Sequence, residues 1–236
     1  MIVIPMAGLS SRFFKAGFTK PKYMLPLLGE TVFDWALRSF EAYFEDEEFL
    51  FIVRDVYDTP QFVEERVKQL GIRSYHIHIL QQETRGQAET VYLAIRDFLE
   101  REIYIFNIDS KIYNFQKKPD DLNVAGYLEV FEGEGEHWSF VKPGENYNVI
   151  ETTEKIRISN LCSNGLYYFE SSQQYCDYFQ KFASLNTQQE LYIAPLYNLY
   201  IDDKKIIKYV VNPLENICFC GIPEEYYAVL AQGETL

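Results

Sequence analysis

Two stretches of the chain hold the residues best suited to chemistry. The first runs "AGLSSR" at residues 7–12 and continues as "KPKYMLP" at 20–26. It sets out Arg12, Lys15, Lys20 and Lys22 with no acid before Glu30, in a 236-residue chain whose 22 Lys+Arg face 35 Asp+Glu, a net charge of −13. So local a run of cations in so acidic a chain points to an anionic ligand. Small residues after an apolar run let backbone N–H groups approach a phosphate or a base closely. Lys22 stands between Pro21 and Pro26, which restrict the backbone around it, and such stiffness suits a lysine that presents its charge to a phosphoryl group. On these residues alone a surface lysine accounts for Lys22 equally well, and an ordinary strand-to-loop turn accounts for "AGLSSR" better than a phosphate loop does. It is neither a Walker A nor a G-x-G-x-x-G fingerprint. The second stretch, "YIFNIDS", is an apolar strand ending in Asn107, Asp109 and Ser110. A carboxylate at the carboxyl end of a buried strand is a natural Mg²⁺ ligand, because Mg²⁺ takes one or two protein carboxylates plus phosphates and water. An Asp that caps the following turn is the plainer alternative, and the position of Asp109 favours the metal.

These groups need elements to hold them. Residues 1–110 alternate β-rich runs ("MIVIP", "EFLFIV", "YHIHIL", "IYIFNID") with helix-period segments ("TVFDWALRSFEAYF", "TPQFVEERVKQLG", "GQAETVYLAIRDFLE"). That is the pattern of βαβ units on a mainly parallel sheet, whose ligands gather at the carboxyl ends of strands. The loops after Pro5, Ile79 and Ile108 are therefore the expected site. Asp58-Thr59-Pro60 can start a helix and Gly71 can stop one. From about residue 120 the runs "NVAGYLEVF", "HWSFVK", "YNVIETT" and "NGLYYF" read as antiparallel strands, with helices near 171–184 and 189–201. The acidic "EGEGEH" reads as a solvated hairpin loop. No linker divides the chain, so one α/β domain over residues 1–236 is expected, with 1–115 forming a nucleotide-binding half and 116–236 an acceptor-binding half.

Composition sets the limits. With 47% hydrophobic and 17% aromatic residues the chain can bury a large core without staples. Its acidity argues against a nucleic-acid partner, which calls for a basic face or stripe. The start lacks the charged and apolar regions of a signal peptide, and no apolar run approaches the ~18 residues of a membrane span, so a cytoplasmic protein is expected. Cys162, Cys176, Cys218 and Cys220 lack the paired spacing of zinc ligands and read as reduced core residues. His76 and His78 share one face of a strand with no third ligand near them and read as structural.

In combination the motifs resemble a family, the sugar-phosphate nucleotidyltransferases, which join a nucleoside triphosphate to a sugar phosphate or similar phosphorylated acceptor. "AGLSSR" with "KPKYMLP" is similar to their G-x-G-[ST]-R…PK-x-[LM]-[LV]-P signature, and "FNIDS" takes the place of their metal aspartate. "QQETRGQAETV" resembles the base-contacting segment, "TEKIRIS" the Glu-Lys stretch, "NGLYYF" the acceptor strand and "CGIPEEY" the closing G-T-P-E-D-Y. The resemblance spans nearly the whole chain, in order. It implies a three-layer fold with a mainly parallel sheet flanked by helices, Mg²⁺ as cofactor, and a bacterial capsule or surface-polysaccharide role; a homo-oligomer stays open.

Carried over by position, the resemblance gives Ala7, Gly8 and Leu9 to the nucleoside, Ser10, Ser11 and Arg12 to the triphosphate, and Gln81 and Gly86 to the base. Lys22 would bridge the reacting phosphates, Asp109 would hold Mg²⁺, and Lys155 would hold the acceptor phosphate. Asn164 and Gly165 would line the acceptor pocket, with Glu190 as a hydroxyl or amine partner. The acceptor phosphate is already anionic near neutral pH, so attack on the α-phosphorus calls for positioning and charge neutralisation rather than a general base. Two departures stand out: Met6-Ala7 replaces the first-loop Gly-Gly, and Phe219 and Cys220 stand where many relatives carry a second metal aspartate. The second departure motivates an alternative, a catalytically weak nucleotide-binding regulatory module. A metal-dependent glycosyltransferase is a further alternative, but its Asp-x-Asp is absent at Asn107-Ile108-Asp109.

Overall fold

In the computed structural model, which describes residues 1–117 and 122–233, the apolar runs of the first half become parallel strands. In chain order these elements are β1 (Ile2–Pro5), α1 (Ser11–Lys15), the small hairpin β2 (Pro26–Leu27) and β3 (Glu30–Thr31), α2 (Val32–Leu37), β4 (Glu48–Arg54), α3 (Thr59–Leu70), β5 (Ser74–Leu80), α4 (Gln87–Ile95), β6 (Ile103–Phe106) and β7 (Ser110–Ile112). The second half adds β8 (Gly126–Glu132), β9 (Ser139–Pro143), β10 (Val149–Glu154), β11 (Leu161–Phe169), α5 (Ser172–Leu185), α6 (Tyr197–Asp202), β12 (Ile207–Val211), β13 (Ile217–Phe219) and α7 (Pro223–Gly233). The main sheet has nine strands, ordered β10-β9-β11-β6-β1-β4-β5, with β8 beside β11 and β12 beside β8. Pairings among β1, β4, β5 and β6 are parallel, and β11 pairs antiparallel with β6 and β8. Both halves of the chain contribute strands to this sheet.

Alternation along each strand makes the three layers, because successive side chains leave opposite faces of a sheet. Ile2, Ile4, Phe49 and Phe51 pack into one core with Phe33 and Val63 of α2 and α3. Val3, Leu50 and Ile52 pack into the other with Ala94, Tyr175 and Tyr197 of α4, α5 and α6. The architecture is the expected α/β one. Helix α3 starts with a proline in its first turn and ends at Gly71 in the left-handed conformation (φ 79°). Helix α2 starts on a capping box: the Asp34 N–H donates to Thr31 Oγ1, and the Asp34 carboxylate accepts the Thr31 N–H at 2.8 Å.

Three expectations differ locally. The helix expected over 31–44 ends at Leu37 and continues as a 3₁₀ segment kinked at Phe40, whose ring is buried edge-on against Phe49, Phe106 and Phe115. The helix expected from 189 begins only near Ala194, because the preceding chain is drawn out as a strap. The Leu191 N–H donates to the Arg85 carbonyl (2.7 Å), and the Leu191 carbonyl accepts the Ala88 N–H (2.9 Å). The "EGEGEH" segment does not close a hairpin, since β11 lies between β8 and β9, with Cys162 facing Phe131 on one side and Phe140 on the other. The four cysteines are free, with Cys162, Cys176 and Cys220 buried and Cys218 half-buried. His76 bonds Glu48 across the β4–β5 pair (2.7 Å). Among the described residues no helix is long and apolar enough to cross a membrane.

Candidate active site

Chain order reverses direction at β1, with β4 and β5 on one side and β6 and β11 on the other. Such a switch point leaves a crevice beyond the carboxyl ends of the strands. There the segments after β1, β5 and β6 enclose a cleft of about 570 Å³ whose lining includes Ala7, Gly8, Leu9, Ser11, Lys22, Gly86, Asp109 and Glu190. A second hollow of about 240 Å³ adjoins it, lined by Arg12, Asn164 and Gly165 together with Trp138, Glu154 and Phe219. Gln87, Asn107 and Asp109 border both. Any ligands held in the two hollows meet at these three side chains.

Lys22 is held from several sides. Its N–H donates to Ser10 Oγ (3.2 Å), and Ser10 itself takes the left-handed conformation (φ 50°) as the chain enters α1. The neighbouring Tyr23 hydroxyl bonds Thr59 Oγ1 (2.8 Å) at the start of α3. The Tyr226 hydroxyl of α7 donates to the Pro26 carbonyl (2.7 Å), while its ring packs edge-on against Phe13 and Phe18. The C-terminal helix thus clamps the N-terminal loop, and the Lys22 ammonium forms an ion pair with Asp109. Lys15 and Lys20 are exposed and line neither hollow.

Asp109 is wrapped by the closing motif. Its carbonyl accepts the Cys220 N–H (2.8 Å), and a Cβ on Gly221 would lie 3.0 Å from its Oδ2. One carboxylate at the meeting point of two hollows fits Mg²⁺, which needs few protein ligands when substrate phosphates supply the rest. Among the described residues no three acids, cysteines or histidines group as a larger metal cluster. Phe219, at the position of the absent second acid, packs on Trp138 (4.9 Å) and Phe131 (5.2 Å). Burial pushes the Cys220 thiol up to about 12, and Mg²⁺ takes oxygen rather than sulfur ligands. Glu225 caps α7, accepting the Gly221 and Ile222 N–H groups at 2.8 and 3.2 Å.

Several sequence candidates sit elsewhere than anticipated. Gln81 lines neither hollow and donates to the Ile79 carbonyl (3.3 Å). Arg12 borders the smaller hollow and Glu190 the larger one. Lys155, at φ 56°, lines neither hollow itself, but its ammonium lies over the ring of Tyr192 at 4.4 Å and 3.5 Å from Glu154, both of which line the smaller one. Burial opposes its charge, but the Tyr192 hydroxyl and the Glu154 and Glu190 carboxylates outweigh it and raise its pKa. The residue before it, Glu154, faces the hollow and accepts from Ser139 Oγ, and burial raises its pKa. The Asn164 amide is spent inside the fold: Nδ2 donates to Glu129 and Oδ1 accepts the Leu166 N–H. Gly86 is needed for close approach. At φ +144° its hydrogen faces the Leu191 backbone, and a Cβ would come within 2.5 Å of the Leu191 carbonyl oxygen. Sequence reasoning noted Asn107 without giving it a role and missed Gln87 at the junction and Trp138 in the smaller hollow; for Gln87 and Asn107 the signal was their place at the start of α4 and the end of β6.

A cleft at a strand-order switch point, with Lys22 and Asp109 ion-paired in its lining and a second hollow opening beside it, defines an enzyme of the nucleotidyltransferase type. The solved structure of the nucleoside-diphosphate-sugar pyrophosphorylase from Vibrio cholerae RC9 is 47% identical over 98% of this chain and 100% of that one, with a TM-score of 0.93. The chain belongs to the nucleoside-diphosphate-sugar pyrophosphorylase family. The inositol-1-phosphate CTP transferase from T. maritima (15% identity, TM-score 0.76, 99% of this chain and 95% of that one) shares the fold. So does a UDP-glucose pyrophosphorylase solved with UDP-glucose (14% identity, TM-score 0.73, 99% and 98%). No protein-family model and no curated protein matches the chain.

Proposed function

We propose that the chain joins a nucleoside triphosphate to a sugar 1-phosphate with Mg²⁺, releasing pyrophosphate, and supplies activated sugar for surface-polysaccharide synthesis in the cytoplasm. The observation that carries this reading is the pair of adjoining hollows that share Asp109, with Lys22 ion-paired to it. The larger hollow takes the nucleotide: Ala7, Gly8 and Leu9 lie along it, and Gly8 presents open space where a ligand can approach the backbone. The smaller takes the acceptor, whose sugar ring can stack on the Trp138 and Phe219 rings and bond Glu154. Arg12, lining the smaller hollow, and Lys22, lining the larger one, neutralise the phosphates.

An acceptor phosphate oxygen attacks the α-phosphorus in line; the new O–P bond forms as the bond to the bridging oxygen of the β-phosphate breaks, and that electron pair leaves with pyrophosphate. Mg²⁺, when bound on Asp109, neutralises charge on the triphosphate oxygens. Lys22 supplies fixed positive charge at the same point, and the protein's share is orientation and exclusion of water. Phe219 in place of a second acid favours one other reading, a nucleotide-binding regulatory module with little turnover. Incubation with Mg²⁺, each common nucleoside triphosphate and a panel of sugar 1-phosphates separates them: pyrophosphate release supports the enzyme, whereas nucleotide-induced thermal stabilisation with no release on any acceptor supports the module.

A further inference from the structure

We propose that Asn107 is a catalytic residue, donating a hydrogen bond from its side-chain amide to the reacting phosphates, and that Gln87 positions it. This inference rests on the pyrophosphorylase reading. Asn107 lies directly beyond β6 and borders both hollows, as does Gln87 at the start of α4. Gln87 Nε2 donates to Asn107 Oδ1 at 2.6 Å. With Oδ1 turned to Gln87, the end of the amide directed elsewhere is its N–H₂ donor, and Asn107 Nδ2 donates to no protein acceptor among the described residues. The residue is also pinned through its backbone, its N–H donating to the Gly165 carbonyl at 3.2 Å.

Gly165 makes room for this arrangement. It sits at φ +93°, and a Cβ there would fall 2.5 Å from Asn107 Nδ2. The acceptor-strand glycine thus leaves the amide open to the smaller hollow, while Gln87 fixes which end of the amide faces the junction. As the acceptor oxygen bonds to the α-phosphorus and the pair on the bridging oxygen departs with pyrophosphate, negative charge shifts among the phosphate oxygens between the two hollows. A neutral, pre-oriented donor there stabilises that charge without competing with Lys22 for Asp109. An acid at 107 would instead repel the phosphates.

The test exploits direction. Gln87→Glu turns the partner into an acceptor, so the Asn107 amide must reverse to keep its bond and present Oδ1 to the phosphates; Gln87→Met removes the bond without reversing it. Activity is pyrophosphate release with Mg²⁺, each common nucleoside triphosphate and a panel of sugar 1-phosphates, the variants being compared on the pair that the unaltered chain turns over fastest. The expected result is kcat lowered about tenfold or more in Gln87→Glu, the worth of one charge-assisted hydrogen bond, with a smaller loss in Gln87→Met and KM for the triphosphate within about threefold of the unaltered chain. Asn107→Ala carries the same expectation as Gln87→Glu and serves if that variant does not fold. Unchanged kcat in Gln87→Glu and Asn107→Ala, or equal losses in the Glu and Met variants accompanied by lost triphosphate affinity, overturns the inference alone. Absence of turnover by the unaltered chain overturns the pyrophosphorylase reading and this inference with it.

Discussion

Replacing Gly86 with alanine tests whether the strap before α6 builds the nucleotide cleft. Gly86 lies at φ 144°, ψ −178°, a region that only glycine occupies without cost. The added Cβ would meet the Leu191 oxygen, nitrogen and carbonyl carbon at 2.5, 2.7 and 2.9 Å. All three are backbone atoms, so no side chain can swing aside. Leu191 must move, and with it go its hydrogen bonds to Arg85 (2.7 Å) and Ala88 (2.9 Å). Backbone strain of about 1–3 kcal/mol and about 0.5–1.5 kcal/mol for each lost bond give about 4 kcal/mol in total. For a chain of this length that is a drop in Tm of roughly 8–16 °C. Glu190, next to Leu191, leaves the cleft edge as well, so stabilisation by nucleoside triphosphate shrinks. Differential scanning fluorimetry with and without nucleotide reads both effects. A Gly86→Ala chain melting within about 2 °C of the parent, with its nucleotide response intact, would refute the clamp.

Other perturbations carry expectations of their own. Lys22→Ala should reduce pyrophosphate release by about 100-fold or more, as loss of a placed charge at the transferring phosphoryl group does; full activity in a steady-state assay removes Lys22 from the mechanism. Asp34→Ala removes the carboxylate half of the α2 capping box and strands Arg66, whose Nε donates to Asp34 Oδ1 at 2.8 Å. Since Asp34 is fully buried, a loss of about 3 kcal/mol is expected in urea denaturation, and a loss below about 1 kcal/mol contradicts that account. Burial raises the pKa of Glu129 above the ordinary 4.5, against the pull of the Asn164 and Asn212 amides. Its contribution to stability is therefore complete below that value and is lost as pH rises through the raised one. Glu129→Gln should gain stability relative to the parent as pH climbs above about 4.5, and a gap in Tm that stays constant with pH would count against it.

Much of this was legible from residue types. The alternating runs of the first half gave the parallel strands because their side chains serve two cores, and the small-residue loop with Lys22 was readable because prolines and glycine state backbone geometry directly. Asp109 was readable from its place at the end of an apolar strand. What escaped notice depended on partners distant in sequence. The Leu191 strap looks helical by its own composition, and only its bonds to Arg85 and Ala88 draw it out. Lys155 attracts attention by its charge, yet the strand register turns Glu154 into the hollow instead. Gln81 shows the same limit, lining neither hollow: a motif fixes which segment comes near the cleft, while loop conformation decides which side chain enters it. Trp138 reaches the smaller hollow because β11 separates β8 from β9, so the segment before Trp138 spans a strand instead of closing a hairpin.

The most direct test follows the phosphorus atoms. In ³¹P NMR of the chain with Mg²⁺, a nucleoside triphosphate and a sugar 1-phosphate, the account predicts that a nucleoside diphosphate sugar and pyrophosphate appear in equal amounts, and that the Lys22→Ala chain forms neither. Triphosphate signals that broaden on binding but are never converted, with every common base and every sugar 1-phosphate tried, would contradict it.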